Sequence, residues 1–316
     1  MRIGLGCVTF GREIDETASF RLLDYAVKRG ICLLDTAEAY GGGQARAYRR
    51  SSLGIEDERE VSAEMHSSEK IIGRWLRRSG ARDKVVLQTK ISSGYTGQAV
   101  RSSIEASLNR LQTHRIDFYL LHKLDATTPV SECLEAMAPV IRAGQIGAAG
   151  CSNVTAECLQ SALELSAMHG LPRFEVVQPP YNLLDRSIEG SLIPLCKREG
   201  IAVIPYSPLA AGFLSGKYAG GLAGAPEGSR FHVIPGHTDV YFSDRNFRIA
   251  QRLREFSERI GVPAVRLAMA WTLQNKDVTA ILIGARTTAH IDNAFEALNL
   301  DMPAAWLDEM NSWQNL

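Results

Sequence analysis

The chain of 316 residues contains no apolar run approaching the roughly 18 residues that cross a bilayer. Met1 leads directly into Gly-rich sequence with no signal-peptide apolar core, so neither a membrane span nor export is expected, and the cytoplasm is the expected location. The chain also lacks net charge, with 35 Lys and Arg against 35 Asp and Glu. Without a long-range field, a nucleic-acid backbone or an anionic membrane is not an expected partner, which leaves small molecules. The six cysteines include no CxxC pair and mostly sit in apolar runs, so no disulfides and no zinc site are expected. His66, His114, His169, His232 and His237 show no metal-ligand spacing, and no metal is expected. With no low-complexity linker to divide it, the chain reads as a single domain over residues 1–316.

What is present is alternation. Short apolar runs at Ile3–Gly6, 31–34, 84–89, Ile116–Leu121, 146–150, Phe174–Gln178, 201–205 and 280–283 read as eight strands. Helical patterns separate them. Val100, Ile104, Leu108 and Leu111 recur at offsets that place them on one stripe, Val130, Leu134, Met137 and Ile141 do the same after Pro129, and Ser68 stands where it could cap the segment holding Ile71, Ile72 and Trp75. Eight strand-helix units in this length predict an α/β fold, a single (β/α)₈ barrel, which takes roughly 250 residues plus insertions. A doubly wound sheet would usually carry GxGxxG after its first strand, and the segment from Gly4 to Gly11 lacks that spacing. Long loops are expected after strands 2 and 7: a charged insertion at 44–67, and a loop at 207–243 rich in Gly, Pro and Ser beyond residue 217. Both would lie on the face where a barrel's active site is built.

Polar residues follow almost every predicted strand: Asp35 with Tyr40, Lys90, His122, Ser152 with Asn153, Gln178, Tyr206 with Ser207, and Gly284 with Arg286. One such residue is ordinarily a solvated strand end, but seven strands ending this way point to a reactive rim. The segments 33–41, 88–90 and 117–122, followed by Gly150-Cys151-Ser152-Asn153, 206–218 and Ile283-Gly284-Ala285-Arg286, resemble the signature of the aldo-keto reductase superfamily in the family's order. That resemblance implies a (β/α)₈ barrel that reduces carbonyls with a nicotinamide cofactor. It also names a tetrad of Asp35, Tyr40, Lys90 and His122.

The chemistry of these side chains agrees with that implication. Hydride reduction of a carbonyl needs a proton donor at oxygen, and Tyr40 can donate. Its ordinary pKa of about 10 is high for the task, and the ammonium of Lys90, held by Asp35, is expected to lower it. His122 is expected to hydrogen-bond the substrate oxygen. By resemblance, Ser152, Asn153 and Gln178 bind the nicotinamide carboxamide and Tyr206 stacks on its ring. The backbone around Ser207, Leu209, Gly212 and Leu214, with Lys217, suits a pyrophosphate, because small residues allow close approach. Gly284, Arg286, His290 and Asn293 fall to the adenosine end. His290 departs from the family's usual glutamine, and Asn293 belongs to an acidic-Asn pair shifted by one place. Arg286 is expected to hold the adenosine 2′-phosphate, so NADP(H) is the expected cofactor and a carbonyl or alcohol the expected substrate. The alternative is a nicotinamide-binding regulatory subunit resembling potassium-channel β-subunits. Arg46, Arg49 or Arg50 of the first insertion are expected to reach the substrate mouth. The family's N-terminal hairpin has no counterpart before the first strand, which leaves the barrel bottom open or covered by residues 306–316.

Overall fold

A computed structural model describes residues 2–125, 127–218 and 225–316; residues 219–224 of the second loop lie outside it. Its strands are β1 (Ile3–Gly6), β2 (Leu33–Asp35), β3 (Val86–Ile91), β4 (Ile116–Leu121), β5 (Ile146–Ser152), β6 (Phe174–Gln178), β7 (Ala202–Val203) and β8 (Ile281–Gly284). All pair in parallel in the order β7-β6-β5-β4-β3-β2-β1-β8. The sheet closes on itself where Thr279 N donates to Val203 O at 2.8 Å and Leu282 N to Pro205 O at 2.9 Å. Helices lie between the strands, so the architecture is the (β/α)₈ barrel that the alternation predicts.

The stripe predicted at Val100, Ile104 and Leu108 is the buried face of the helix Gly97–Arg110, whose first turn is capped by Thr96. Pro129 caps the helix Val130–Arg142. Ser68 is not a cap. It lies inside the helix Ser67–Ser79, and its hydroxyl donates to Cys7 O at 2.8 Å, tying that helix to the end of β1. The six cysteines are free thiols.

Alternate strand residues face inward, and their character changes along the barrel axis. Lower inward positions carry Leu33, Leu120, Val176, Ile204, Ala280 and Leu282, which pack together as an inner core. Gly4 is among these positions because a Cβ there would meet Leu33 Cδ2 at 2.7 Å and Leu282 Cδ2 at 2.8 Å. The next inward positions, nearer the carboxyl ends, are Asp35, Gln88, Lys90, Ser152 and Gln178, all buried. Outward residues such as Leu5, Leu34, Leu87 and Val177 join the larger core beneath the helices.

Residues 306–316 do not cover the barrel bottom. Trp306 and Trp313 meet Phe256 edge-on at 5.9 and 5.8 Å, and Trp271 Nε1 donates to Asn311 Oδ1 at 2.9 Å. The aromatic side chains find their apolar partners on the helices Asp244–Ile260 and Ala264–Gln274, so the segment lies along the barrel's flank. At the bottom, inward Val86, Phe118, Ala148 and Ala202 stay half-buried.

Candidate active site

Asp35 ends β2, and parallel pairing sets it level with Gln88 on β3, one inward step before Lys90. Its Oδ1 accepts from Lys90 Nζ at 2.6 Å, Gln88 Nε2 at 2.7 Å and Gln178 Nε2 at 2.9 Å. Lys90 also donates to Thr36 O at 2.6 Å, and its side chain is fully buried. Burial pulls the ammonium's pKa down, but the Asp35 carboxylate and Tyr40 outweigh it, so it ends above the usual lysine value. A buried ion pair with such added hydrogen bonds remains charged and rigid.

Tyr40 stands above this pair, with Lys90 Nζ 4.9 Å from its ring centroid and the His122 ring edge-on at 5.8 Å. The expectation that Lys90 lowers the phenol's pKa needs correction. Burial raises it, Asp35 adds to the rise, and together they exceed the lowering by Lys90, leaving the phenol above the ordinary tyrosine value. His122 is pushed down to about 3 by burial and by Lys90 and Lys123, and is therefore neutral at physiological pH.

Asp35, Tyr40 and His122 line one face of a cavity of about 840 Å³ at the carboxyl ends of the strands, with Lys90 buried behind them. Ser152, Asn153, Gln178 and Tyr206 are brought together on it. They are linked, because Tyr206 Oη donates to Asn153 Oδ1 at 2.8 Å, Asn153 Nδ2 to His122 O at 2.9 Å, and Ser152 Oγ to Gln178 O at 2.6 Å. Ser207, Leu209, Gly212 and Lys217 continue the wall, and Gly284, Arg286, His290 and Asn293 complete it. Leu214 does not reach it; the side chain is buried, and its amide donates to Leu209 O at 3.2 Å. His290 Nδ1 accepts from the amides of Arg286 at 3.1 Å and Thr287 at 3.3 Å, and Asn293 Oδ1 accepts from Arg266 Nε at 2.9 Å.

The stretch from Ser207 to Gly212 is built as a cradle. Ser207, Ala210, Ala211 and Gly212 all have positive φ, which turns the chain tightly. Gly212 has φ 91°, and a Cβ there would approach Lys217 Nζ at 3.2 Å.

The first insertion departs from expectation. Its first half is a helix, Gly42–Leu53, and the three arginines turn to acids of the same insertion rather than to the cavity. Arg46 pairs with Glu58 at 2.8 Å, Arg50 with Glu56 at 2.9 Å, and Arg49 with Asp57 at 3.0 Å and with Glu60. The insertion's contribution to the cavity wall is Gln44, Ala45 and Tyr48. Arg49 also binds the second loop, donating to Val233 O at 2.9 Å, while Arg59 donates to His232 O at 2.6 Å. Arg49 and Glu60 side chains are 1% and 0% exposed, so Arg49→Met leaves a buried carboxylate with only the longer 3.8 Å pairing to Arg46 Nε. That substitution is expected to cost about 3–5 kcal/mol of stability in urea titrations, with Glu60→Gln restoring part of it in the double variant.

The cavity wall carries a second charged group, Arg12, Glu13, Arg230 and His237, of which sequence reading missed the first three. Arg12 Nη2 pairs with Glu13 Oε1 at 2.6 Å, and Arg230 Nη1 lies 3.9 Å from the same oxygen. Arg230 is pushed down to about 10 by burial and Arg12, and His237 to about 3 by burial and both arginines. The signal available in the sequence was position, since Arg12 and Glu13 follow β1 and Arg230 and His237 lie in the loop after β7. Among the described residues no group of three His, Cys, Asp or Glu could hold a metal ion. None of the described helices is long and apolar enough to cross a membrane.

Comparison with known proteins gives the family. The aldo/keto reductase family model matches residues 2–314, and the chain belongs to that family. It is 30% identical to the uncharacterized oxidoreductase YrpG of Bacillus subtilis, the alignment covering 98% of this chain and 91% of that protein. The tas protein of Escherichia coli K12 is also 30% identical, over 98% of this chain and 93% of its own length. So is the L-glyceraldehyde 3-phosphate reductase of the same strain, over 74% of this chain and 71% of that protein.

Proposed function

We propose that the protein is an NADP(H)-dependent oxidoreductase that reduces an aldehyde, ketone or sugar-like carbonyl, with Tyr40 as the proton donor. The observation that carries this reading is the stack of Asp35, Lys90 and Tyr40, with His122 at its edge, from which Asp35, Tyr40 and His122 reach the wall of one cavity while Lys90 stays buried behind it. The relatives named as an oxidoreductase and as a reductase support the class of reaction.

The cavity suits a polyanionic dinucleotide. With Asp35 balanced by Lys90, its wall presents Arg12, Lys217, Arg230 and Arg286 against Glu13 among the described residues. Uncompensated cations next to a tight backbone cradle match phosphates. Ser152, Asn153, Gln178 and Tyr206 would hold the nicotinamide end, the 207–212 cradle with Lys217 the pyrophosphate, and Arg286 the adenosine 2′-phosphate. When bound, that cofactor supplies the hydride. His122 orients the carbonyl oxygen with a hydrogen bond, and Tyr40 gives that oxygen its proton. Lys90 meanwhile stabilises negative charge on the phenol as the proton leaves. Asp35 keeps Lys90 charged and in place.

The test is loss of reduced-nicotinamide absorbance across a panel of aldehydes, ketones and aldoses, with NADPH and NADH compared. Turnover of at least one carbonyl with NADPH is expected. A purified protein that binds NADPH yet reduces none of them would favour the regulatory-subunit alternative.

A further inference from the structure

We propose that Ser92 is a positioning residue that holds His122 in the tautomer whose Nε2–H faces the cavity. The inference rests on the reading of His122 as the group that hydrogen-bonds the substrate oxygen. Ser92 comes directly after β3, and its hydroxyl lies 2.8 Å from His122 Nδ1. The serine is itself anchored, because its amide donates to Glu38 Oε1 at 2.6 Å. Glu38 Oε2 accepts from Ser103 Oγ at 2.5 Å, and Tyr119 Oη donates to Ser103 Oγ at 2.8 Å. Both oxygens of the carboxylate are thus committed, and the Ser92 hydroxyl is presented from a braced support. The backbone of His122 is held as well, its amide donating to Ile91 O at 3.0 Å and its carbonyl accepting from Asn153 Nδ2 at 2.9 Å.

A neutral imidazole carries one N–H, and the partner of one ring nitrogen decides which nitrogen carries it. Among the described residues Nδ1 is the hydrogen-bond partner of Ser92 Oγ. If Nδ1 kept the proton and donated it, the hydroxyl proton would have no acceptor among the described residues in a partly buried position. If the hydroxyl donates to Nδ1, that proton is satisfied and the imidazole proton moves to Nε2. The second arrangement is also the one that chemistry requires. A carbonyl oxygen gaining negative charge needs a donor, and the Nδ1–H tautomer would offer it a lone pair instead. The burial that keeps His122 neutral makes the distinction matter, since an imidazolium would donate from both nitrogens.

The tautomer can be read directly from long-range ¹⁵N–¹H spectra of the full-length protein labelled at its seven histidines, with His122→Gln used to assign the signal. The wild type is expected to show a protonated Nε2 and a bare Nδ1. In Ser92→Ala the two tautomers should mix, and kcat for carbonyl reduction should fall roughly 2- to 10-fold, the scale of one neutral hydrogen bond. Substrate KM and NADPH affinity should change less than about twofold, and Ser92→Thr should restore both spectrum and kcat, because it keeps the hydroxyl. A wild-type proton on Nδ1, or a Ser92→Ala spectrum identical to wild type, would overturn the proposal. Failure of the wild type to oxidise NADPH would strike the functional reading instead, and the tautomer measurement would stand apart from it.

Discussion

Tyr40→Phe is expected to lower turnover by about 10²- to 10⁴-fold while leaving NADPH affinity within about twofold of wild type. The ring, its edge contact with His122 and its place over Lys90 all survive the substitution. What disappears is one O–H, the proton that the carbonyl oxygen must receive. Fluorescence titration of NADPH and steady-state kinetics at saturating substrate separate the two effects, and near-normal turnover would remove Tyr40 from the chemistry. The pH profile gives an independent check. Burial holds the phenol above its ordinary value and the Lys90 ammonium is also raised, so both keep their protons as pH rises through neutrality. His122, pushed down to about 3, stays neutral as pH falls toward about 5. None of the three changes charge between about pH 5 and pH 9, and wild-type kcat for reduction should be flat across the part of that range where the protein is folded. A fall in kcat centred near pH 7 would show that one of these groups titrates there after all.

The depth of burial that flattens this profile was the least legible property of the site. That Asp35, Lys90 and His122 share a rim follows from their places at the ends of apolar runs, and β1, β4 and β6 begin and end where those runs do. The apolar runs predict a longer β7 than exists. Pro205 has no N–H to give a ladder, so pairing past Val203 reduces to single bridges through Tyr206. Spacing reveals which face a residue occupies, but not what desolvates it. The charge argument for Tyr40 therefore had the sign of Lys90's effect right and the net direction wrong. Arginines show the same limit. Arg46, Arg49 and Arg50 face carboxylates that lie 6 to 12 residues away in the chain, and each finds its partner within the insertion. Arg12 and Arg230 lie more than 200 residues apart in the sequence and meet at Glu13 only because the loops after β1 and β7 come together over the closed barrel. Such pairings depend on tertiary closure, which local pattern does not encode.

Arg286→Ala is expected to weaken NADPH binding by roughly 10- to 150-fold and NADH binding by less than about threefold. Arg286 stands just past β8, with Ala285 and Thr287 beside it and no acidic neighbour in sequence that would favour a bare ribose. Its Nη1 donates to Gly228 O at 2.7 Å, which fixes the guanidinium against the second loop and leaves further N–H groups of the fork for the cavity. Lys217 lies close enough that burial and Arg286 lower its pKa, so two cations crowd one stretch of wall and would both gain from a dianionic phosphate. Glu13 is the carboxylate that senses this charge, and Arg12 already holds it. The same bond to Gly228 supplies the competing explanation, in which Arg286 merely pins the loop. The two are separated by comparing cofactors. Loss of a phosphate contact penalises NADPH alone, whereas a released loop would weaken both dinucleotides alike. Arg286→Lys sharpens the comparison, because it keeps the charge and loses the fork: intermediate NADPH affinity is expected, with NADH unchanged. Equal losses for NADPH and NADH in Arg286→Ala would assign the residue to the loop, and a wild-type preference for NADH would overturn the NADP(H) reading itself.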